Sequence, residues 1–151
     1  MFNPDIFPVS TFLPSFETAA RSLKVVPITA PVHSDAEIET AIIALGRKPG
    51  GGLVVMPDTF IVAHRAVITL AATRNTVPLI NGFSDFVREG GLLSYGPAPV
   101  DLFRRAASYV DRILRGAKPG DLPVQFPTKY EMAVDRQGAL PCGTPIDSGA
   151  R

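Results

Sequence analysis

Residues 50–60, GGGLVVMPDTF, constrain the fold more than any other part of the chain. Within them, residues 53–56 form a short, wholly apolar run with chain-breaking residues on both sides. This pattern is typical of a strand buried on both faces, as in a parallel sheet covered by helices. A short turn and an amphipathic run that ends at Arg74 follow this strand. The sequence therefore predicts half of a βαβ unit at this point.

The same alternation of helical patterns and short apolar runs continues along the chain. It predicts helices over 15–23, 35–45, 60–74, 84–89 and 100–115, and strands over 24–28, 53–56, 77–80, 92–95 and 128–134. Residues 1–14 contain three prolines and should not form a regular helix. We expect one α/β domain over 1–134, a three-layer α/β/α sandwich with a mainly parallel sheet, and a poorly ordered tail over 135–151.

Composition excludes several classes of function. The chain has 151 residues, which suits one domain, and its formal net charge is +1 with no block of Lys or Arg, so nothing indicates nucleic-acid binding. No apolar run approaches the roughly 20 residues of a membrane span. The first residues lack the features of a signal peptide, so we expect the chain as encoded to remain in the cytoplasm. Cys142 is the single cysteine, which excludes an internal disulfide.

Two features that suggest a cofactor or a metal are better explained by structure alone. The glycine run at residues 50–52 precedes a strand, whereas a phosphate-binding loop follows a strand, opens a helix and ends in G-K-[ST]. His64 has no second metal-type ligand three or four residues away, so it is interpreted as a partly exposed surface histidine. The sequence therefore predicts no metal site and no cofactor.

Polar and aromatic side chains follow three consecutive predicted strands, in the loops at residues 57–59, 81–83 and 95–97. If the sheet is parallel, the three loops open at one edge, where ligands bind in open α/β sheets. Together they offer a carboxylate, a hydroxyl, an amide and two aromatic rings, which suits a small zwitterionic or polar organic ligand. The predicted ligand-binding residues are Asp58, Thr59, Asn81, Phe83 and Tyr95.

Catalysis is disfavoured at this edge. Ser94 lies in LLSYG, which is not the G-x-S-x-G turn that exposes a nucleophilic serine. Asp58 as a phospho-acceptor would need an acidic pair after the first strand and a lysine after a later one, and neither is evident. The sequence therefore predicts that the protein is not an enzyme, and a small α/β enzyme is the least favoured of three hypotheses.

Several segments resemble the family of ABC-transporter substrate-binding proteins of the tryptophan/tyrosine-uptake type. The similar segments are FNPD, GGLVVMPDTFIVAHR, VPLINGFSDFVREGGLLSYGP and DLFRRAASYVDRILRGAKPGDLPVQFPTKYEMAV, and together they cover roughly residues 2–134. The last segment is the most specific, because a helix, a G-A-K-P-x-D-L-P-V linker and P-T-K-[FY]-E follow one another before a strand.

The resemblance implies an exported, periplasmic two-lobed protein of the type I periplasmic-binding fold, which traps a ligand between its lobes and delivers it to a permease. Only the second lobe of that family has a counterpart here, so we expect a truncated protein. Matched to the family's cleft loops, Phe83 and Tyr95 would wall the ligand. Asp58 and Thr59 would hydrogen-bond its polar end, with Asp58 preferring an ammonium group. Asn81 is a weaker candidate.

A single lobe should differ from a two-lobed protein in its affinity for ligand and in its tendency to self-associate. Half a cleft leaves one side of the ligand in water, so we expect weak binding of an amino-acid-like ligand. An exposed inter-lobe surface favours self-association, with the apolar residues 1–14 as a candidate contact. The first hypothesis is therefore a solute-binding lobe, and the alternative is an orphan lobe that binds no small molecule and persists as a homodimer.

Overall fold

The computed structural model describes residues 1–6 and 8–135. Its helices are α1 (Val9–Ser22), α2 (Asp35–Gly46), α3 (Thr59–Ala63), α4 (Arg65–Arg74), α5 (Asp85–Arg88) and α6 (Pro99–Leu114), and a 3-10 turn covers Pro119–Asp121. Its strands are β1 (Leu53–Val54), β2 (Leu79–Asn81), β3 (Leu93–Pro97) and β4 (Tyr130–Val134). None of the described helices combines the length and the apolar character that crossing a membrane requires. The predicted tail, apart from Asp135, lies outside the described residues.

The four strands form one open sheet in the order β1-β2-β3-β4. β1 and β2 are parallel, as are β2 and β3, and β4 returns antiparallel to β3. The register pairs Leu53 with Leu79, and Ile80 with Leu93. The predicted α/β fold with a mainly parallel sheet is confirmed.

The outer edge of β1 is covered by the beginning of the chain. The Met1 amine donates to the Val54 carbonyl oxygen at 2.8 Å, and the Met56 amide donates to the Met1 carbonyl oxygen at 3.0 Å. Phe2 in turn exchanges hydrogen bonds of 3.2 and 3.0 Å with Ala30 and Val32. Residues 1–3 and 30–32 therefore extend the hydrogen bonding beyond β1.

The strand predicted over 24–28 is wrong. Residues 25–30 have no regular secondary structure, and Val26 is 80% exposed. Pro27 stands in the middle of this segment and has no N–H to donate to a ladder. The chain reaches the sheet only further on, where Pro31 forms an isolated bridge with Phe2.

One face of the sheet carries the hydrophobic core. Apolar side chains of the helices pack on inward-facing residues of β1 and β2, which leaves the core residues almost fully shielded from solvent. The buried helical residues are Ile38, Ile42, Ile61, Ile68 and Phe86, and their partners from the sheet include Leu53, Val55 and Leu79. Burial of each such side chain contributes about 1.5–3 kcal/mol, so this face supplies most of the driving force for folding.

The opposite face of the sheet remains largely open. Ile80 is level with Leu93, and Tyr95, two residues further along β3, is opposite Met132, so these side chains share that face. Tyr95 and Met132 are each 59% exposed. No described side chain of α1 or α6 is buried, although both helices are amphipathic. An apolar sheet face is therefore available to another molecule.

Two predicted helices differ from the observed ones. The first begins at Val9 instead of Ser15 and contains Pro14, so the expectation that residues 1–14 exclude a regular helix is wrong for 9–14. Pro14 is the sixth residue of this helix, so it lies past the first turn and removes the amide that would bond to the carbonyl oxygen of Ser10. The helix predicted over 60–74 is interrupted at His64, whose backbone (φ −99°, ψ 15°) is not helical. The His64 ring stacks on Phe60 with centroids 4.0 Å apart.

The predicted cap of α2 is confirmed in a modified form. The Ser34 hydroxyl accepts a hydrogen bond from the Glu37 amide at 3.3 Å, as in a capping box. The Glu37 carboxylate reaches back to the amide of His33, one residue before the cap, at 2.8 Å. This amide and the nearby His33 ring lower the pKa of the Glu37 carboxyl.

Candidate functional site

The carboxyl ends of β1, β2 and β3 meet at one edge of the sheet, because these strands are parallel neighbours. Asp58 follows β1, and Asn81 is the last residue of β2. The Asn81 amide nitrogen lies 3.4 Å from the carbonyl oxygen of Val55, where it donates a hydrogen bond. The loops after β1 and β2 are therefore adjacent, as predicted from the sequence.

Asp58 is buried at this edge and is held by two backbone amides. One carboxylate oxygen accepts the Ile61 amide at 2.7 Å, which caps α3, and the other accepts the Asn3 amide at 3.0 Å. A carboxylate that satisfies helix N-terminal amides stabilises the helix start. Asp58 therefore has a structural task in the fold. Thr59, the next residue, is exposed at the first position of α3.

Asn81 shapes the loop that carries Phe83. Its side-chain oxygen accepts the Phe83 amide at 2.7 Å, two residues on, which is the hydrogen bond of an Asx turn. With its amide nitrogen on Val55, Asn81 is satisfied at both ends and buried. The Phe83 ring is 37% exposed beside this turn. Asn81 therefore positions Phe83 and presents little of its own surface to a ligand.

The loop after β2 lies directly against β3. A Cβ at Gly96 would overlap the carbonyl oxygen of Gly82, whereas a Cβ at Gly82 would meet no atom within 4 Å. The two backbones approach this closely only because Gly96 has no side chain. This contact fixes the loop that contains Phe83 relative to β3.

The structure places Tyr95 within β3, not in the loop after it. Its ring stacks on Tyr130 of β4, with centroids 5.6 Å apart and planes inclined by 16°. The two rings lie on the open face of the sheet, which is continuous with the carboxyl edge. Tyr130 was missed by sequence reasoning, because its place beside Tyr95 depends on the antiparallel pairing of β4 with β3.

The amine of Met1 lies close enough to Asp58 for the two groups to interact electrostatically. The Met1 amine is buried, which lowers its pKa to about 6, and the negative charge of Asp58 opposes this shift.

Within the described part of the chain, no group of three or more His, Cys, Asp or Glu side chains could hold a metal ion. Ser94 is only 2% exposed, so its hydroxyl is not presented to solvent.

A separate groove of about 360 Å³ lies between α6 and the linker that follows it. Arg105 holds this linker through hydrogen bonds of 2.7 Å to both Gln125 and Thr128, and the Tyr109 hydroxyl donates to the Pro123 carbonyl oxygen. The groove is lined by none of the five predicted ligand-binding residues. It is therefore distinct from the carboxyl edge.

Solved structures share this fold over nearly the whole chain. A conserved domain protein from Vibrio cholerae O1 biovar El Tor and an ABC domain in complex with L-Trp from Streptococcus pneumoniae both superpose with a TM-score of 0.86, at 20% and 21% sequence identity. Both matches cover 97% of this chain, and 49% and 50% of the respective structures. The chain thus has the α/β fold of one lobe of a periplasmic-binding-like protein and spans about half the length of these relatives.

A third structure agrees. The ligand-free, open structure of CD0873, a substrate binding protein with adhesive properties from Clostridium difficile, has a TM-score of 0.70 at 20% identity and is matched over 99% of this chain and 50% of its own. The family model for ABC transporter substrate binding proteins matches residues 14–144, so the chain belongs to that family. No curated protein matches the chain. The tryptophan/tyrosine type and the correspondence to a second lobe stay predictions.

Proposed function

We propose that this chain forms one lobe of the solute-binding component of an ABC transporter and binds a small amino-acid-like or related polar ligand at the carboxyl edge of β1–β3. The observation that carries the proposal is that Asp58, Asn81 and Phe83 lie at the carboxyl ends of two adjacent parallel strands, in a chain that belongs to the substrate-binding family. A structural relative holds L-Trp, which supports an aromatic amino acid as the ligand class.

Each predicted residue has a role in this proposal. Phe83 and Tyr95, which are both partly exposed, wall an aromatic or apolar part of the ligand. Asp58 and Thr59 bind its polar end. Among the described residues one amide donates to each Asp58 oxygen, and a carboxylate oxygen has a further lone pair for an ammonium group. Asn81 acts through Phe83, whose loop it holds.

The lengths of the related structures indicate a second lobe as a partner of this chain. Because the chain spans about half of each of them, we infer that a second lobe closes over the ligand and that the closed protein delivers it to an ABC permease outside the cytoplasmic membrane. The single lobe contacts only one side of the ligand. Its affinity is therefore weak on its own.

The chain contains no Trp, so L-Trp excited at wavelengths longer than the absorption of the three tyrosines reports binding without background from the protein. We expect the emission of L-Trp to shift and its anisotropy to rise as the chain is added. The double variant Phe83→Ala/Tyr95→Ala should abolish both changes. Phe126→Ala, an 83% exposed ring in the separate groove, is the matched control and should bind as the parent does.

An unchanged L-Trp signal at millimolar chain, together with no adduct in native mass spectrometry, would contradict ligand binding by this chain. It would favour the alternative function, an orphan lobe that persists as a homo-oligomer. The specific observation for that alternative is the open apolar sheet face that includes Tyr95 and Met132. Substitution of Phe83 and Tyr95 would then leave small-molecule binding unaffected, because there would be none to lose.

A further inference from the structure

The two edges of the sheet differ in whether other parts of the chain pair with their backbone groups. Beyond β1, residues 1–3 and 30–32 use the backbone groups of the edge. Beyond β4, no strand among residues 1–6 and 8–135 pairs with the outer side. β4 also keeps an unbroken register with β3 and contains no proline, so neither a bulge nor a missing amide donor blocks pairing along this edge, and Glu131 is its one charged residue.

The pairing of β4 with β3 determines which of its backbone groups face outward. The Ala98 amide donates to the Lys129 carbonyl oxygen at 3.0 Å, and the Asp135 amide donates to the Leu92 carbonyl oxygen at 2.9 Å. In an antiparallel pair, residues that bond to the neighbouring strand alternate with residues that do not. The N–H and C=O groups of Tyr130, Met132 and Val134 therefore point away from the sheet.

We propose that a second copy of this chain pairs along that edge, with the two β4 strands antiparallel around a two-fold axis at Met132. In this register Met132 is opposite its own copy, and Tyr130 is opposite Val134 of the second copy. Each outward-facing residue then exchanges its N–H and C=O groups with its counterpart. The result is one continuous sheet with an isologous interface, which closes after two chains.

Charge selects this register over its neighbours. Lys129 lies opposite Asp135 of the second copy on both sides of the axis, and Glu131 lies opposite Ala133. A shift by one step in either direction places Glu131 opposite Glu131 or opposite Asp135 of the second copy. Opposite charges across strands are stabilising and like charges are destabilising, so the register centred on Met132 is preferred.

The open face adds an apolar contribution to this interface. Tyr130 and Met132 of β4 are each more than half exposed in the single chain and lie on the same face of the sheet. In the dimer the two Met132 side chains are adjacent, and each Tyr130 ring meets Val134 of the other copy. Burial of this surface favours association, at about 25 cal/mol per Å² of apolar area removed from water.

Sedimentation velocity without ligand tests the interface, so its outcome is separate from that of the proposed function. We expect a dimer in the parent chain. Met132→Pro should raise the dissociation constant at least about tenfold, because it removes outward N–H donors and leaves the bonds to β3 in place. Phe103→Ala, which removes an exposed ring from α6, is the control and should leave the constant unchanged.

A charge exchange tests the register itself and serves also if Met132→Pro does not fold. Lys129→Asp and Asp135→Lys should each weaken the dimer several-fold, and the double exchange should restore it. The Lys129 ammonium group also lies 3.4 Å from the Asp101 carboxylate of its own chain, so a weaker dimer in the single variants could come from the loss of that ion pair. Recovery of the parent dissociation constant in the double variant is therefore the result that identifies the contact between chains. A monomer at all concentrations, or a dimer that neither Met132→Pro nor the single exchanges weaken, would overturn the proposal.

Discussion

The carboxylate of Asp58 and the backbone amide of Asn3, which are 55 residues apart in the chain, are joined by a hydrogen bond of 3.0 Å. The other Asp58 oxygen accepts the Ile61 amide at 2.7 Å. One buried side chain thus connects the start of the chain, the end of β1 and the start of α3. The same side chain is the candidate for the ammonium group of a ligand, so its structural and binding contributions need to be separated.

Substitution of Asp58 measures the structural contribution. Asp58→Ala leaves two amide donors without their acceptors, and we expect the free energy of unfolding to fall by about 3 kcal/mol. Asp58→Asn keeps one acceptor oxygen, so its loss should be smaller. Urea denaturation gives both values. The control is Asp85→Ala, which removes an exposed carboxylate at the start of α5. If Asp58→Ala lowered the free energy of unfolding no more than this control does, the structural role of Asp58 would be contradicted.

The contact between Gly96 and Gly82 predicts a second effect. Gly96→Ala places a methyl group against the Gly82 carbonyl oxygen, so the loop or the strand must shift, and we expect a loss of about 2 kcal/mol in the free energy of unfolding. Amide NMR shifts should change at Phe83, because its loop moves. Gly82→Ala meets open space and is the matched control, which should stay within about 0.5 kcal/mol of the parent. Equal stability of the two variants would refute the close approach.

Much of this fold could be predicted because local signals agree with the global arrangement. The apolar run at residues 53–56 predicted a parallel strand buried on both faces, and Leu53 and Val55 do face the core, whereas Val54, on the other face, is only partly buried. The Ser34 cap and the stripe of Ile38 and Ile42 predicted α2 almost to the residue. Parallel neighbours then bring Asp58 and Asn81 to one edge, which is a consequence of strand order alone.

The rest depended on contacts that the sequence does not encode locally. The apolar run that includes Val25 and Val26 looked like a strand, but Pro27 interrupts its donors and Phe2 pairs with residues 30–32 instead. The role of Tyr130 follows from its pairing across the sheet with β3. One of the two hydrogen bonds that Asp58 accepts likewise comes from Asn3, a residue far away in the chain.

A buried hydroxyl on α4 predicts a stabilising substitution. The Thr69 side-chain oxygen is buried and has no hydrogen-bond partner among the described residues. Thr69→Val replaces the hydroxyl with a methyl group of similar size, and we expect the free energy of unfolding to rise by about 1 kcal/mol. Thermal denaturation measures the change. In the same helix the Thr73 hydroxyl donates to the Thr69 carbonyl oxygen at 2.9 Å, so Thr73→Val should give no such gain, and equal gains would rule out this explanation.

The buried amine of Met1 predicts that the stability of the 151-residue chain rises with pH between about 6 and 8. Burial lowers the pKa of this amine from its ordinary value of 8.0 to about 6. Between these values the unfolded chain binds a proton that the folded chain does not, so the free energy of unfolding increases with pH. The gap between the two pKa values corresponds to about 2–3 kcal/mol, which is present above pH 8 and lost below pH 6.

Urea denaturation across this pH range, on the chain with a free amine and on the same chain with an acetylated Met1, isolates the effect. Acetylation removes the charge and leaves an N–H that still donates to the Val54 carbonyl oxygen, as an internal residue of a strand would. The other titratable groups are the same in both chains, so their contributions to the pH dependence of stability cancel in the comparison. The free-amine chain should lose stability on acidification and the acetylated chain should lose less, whereas parallel pH profiles would mean that the amine is solvated in the folded state.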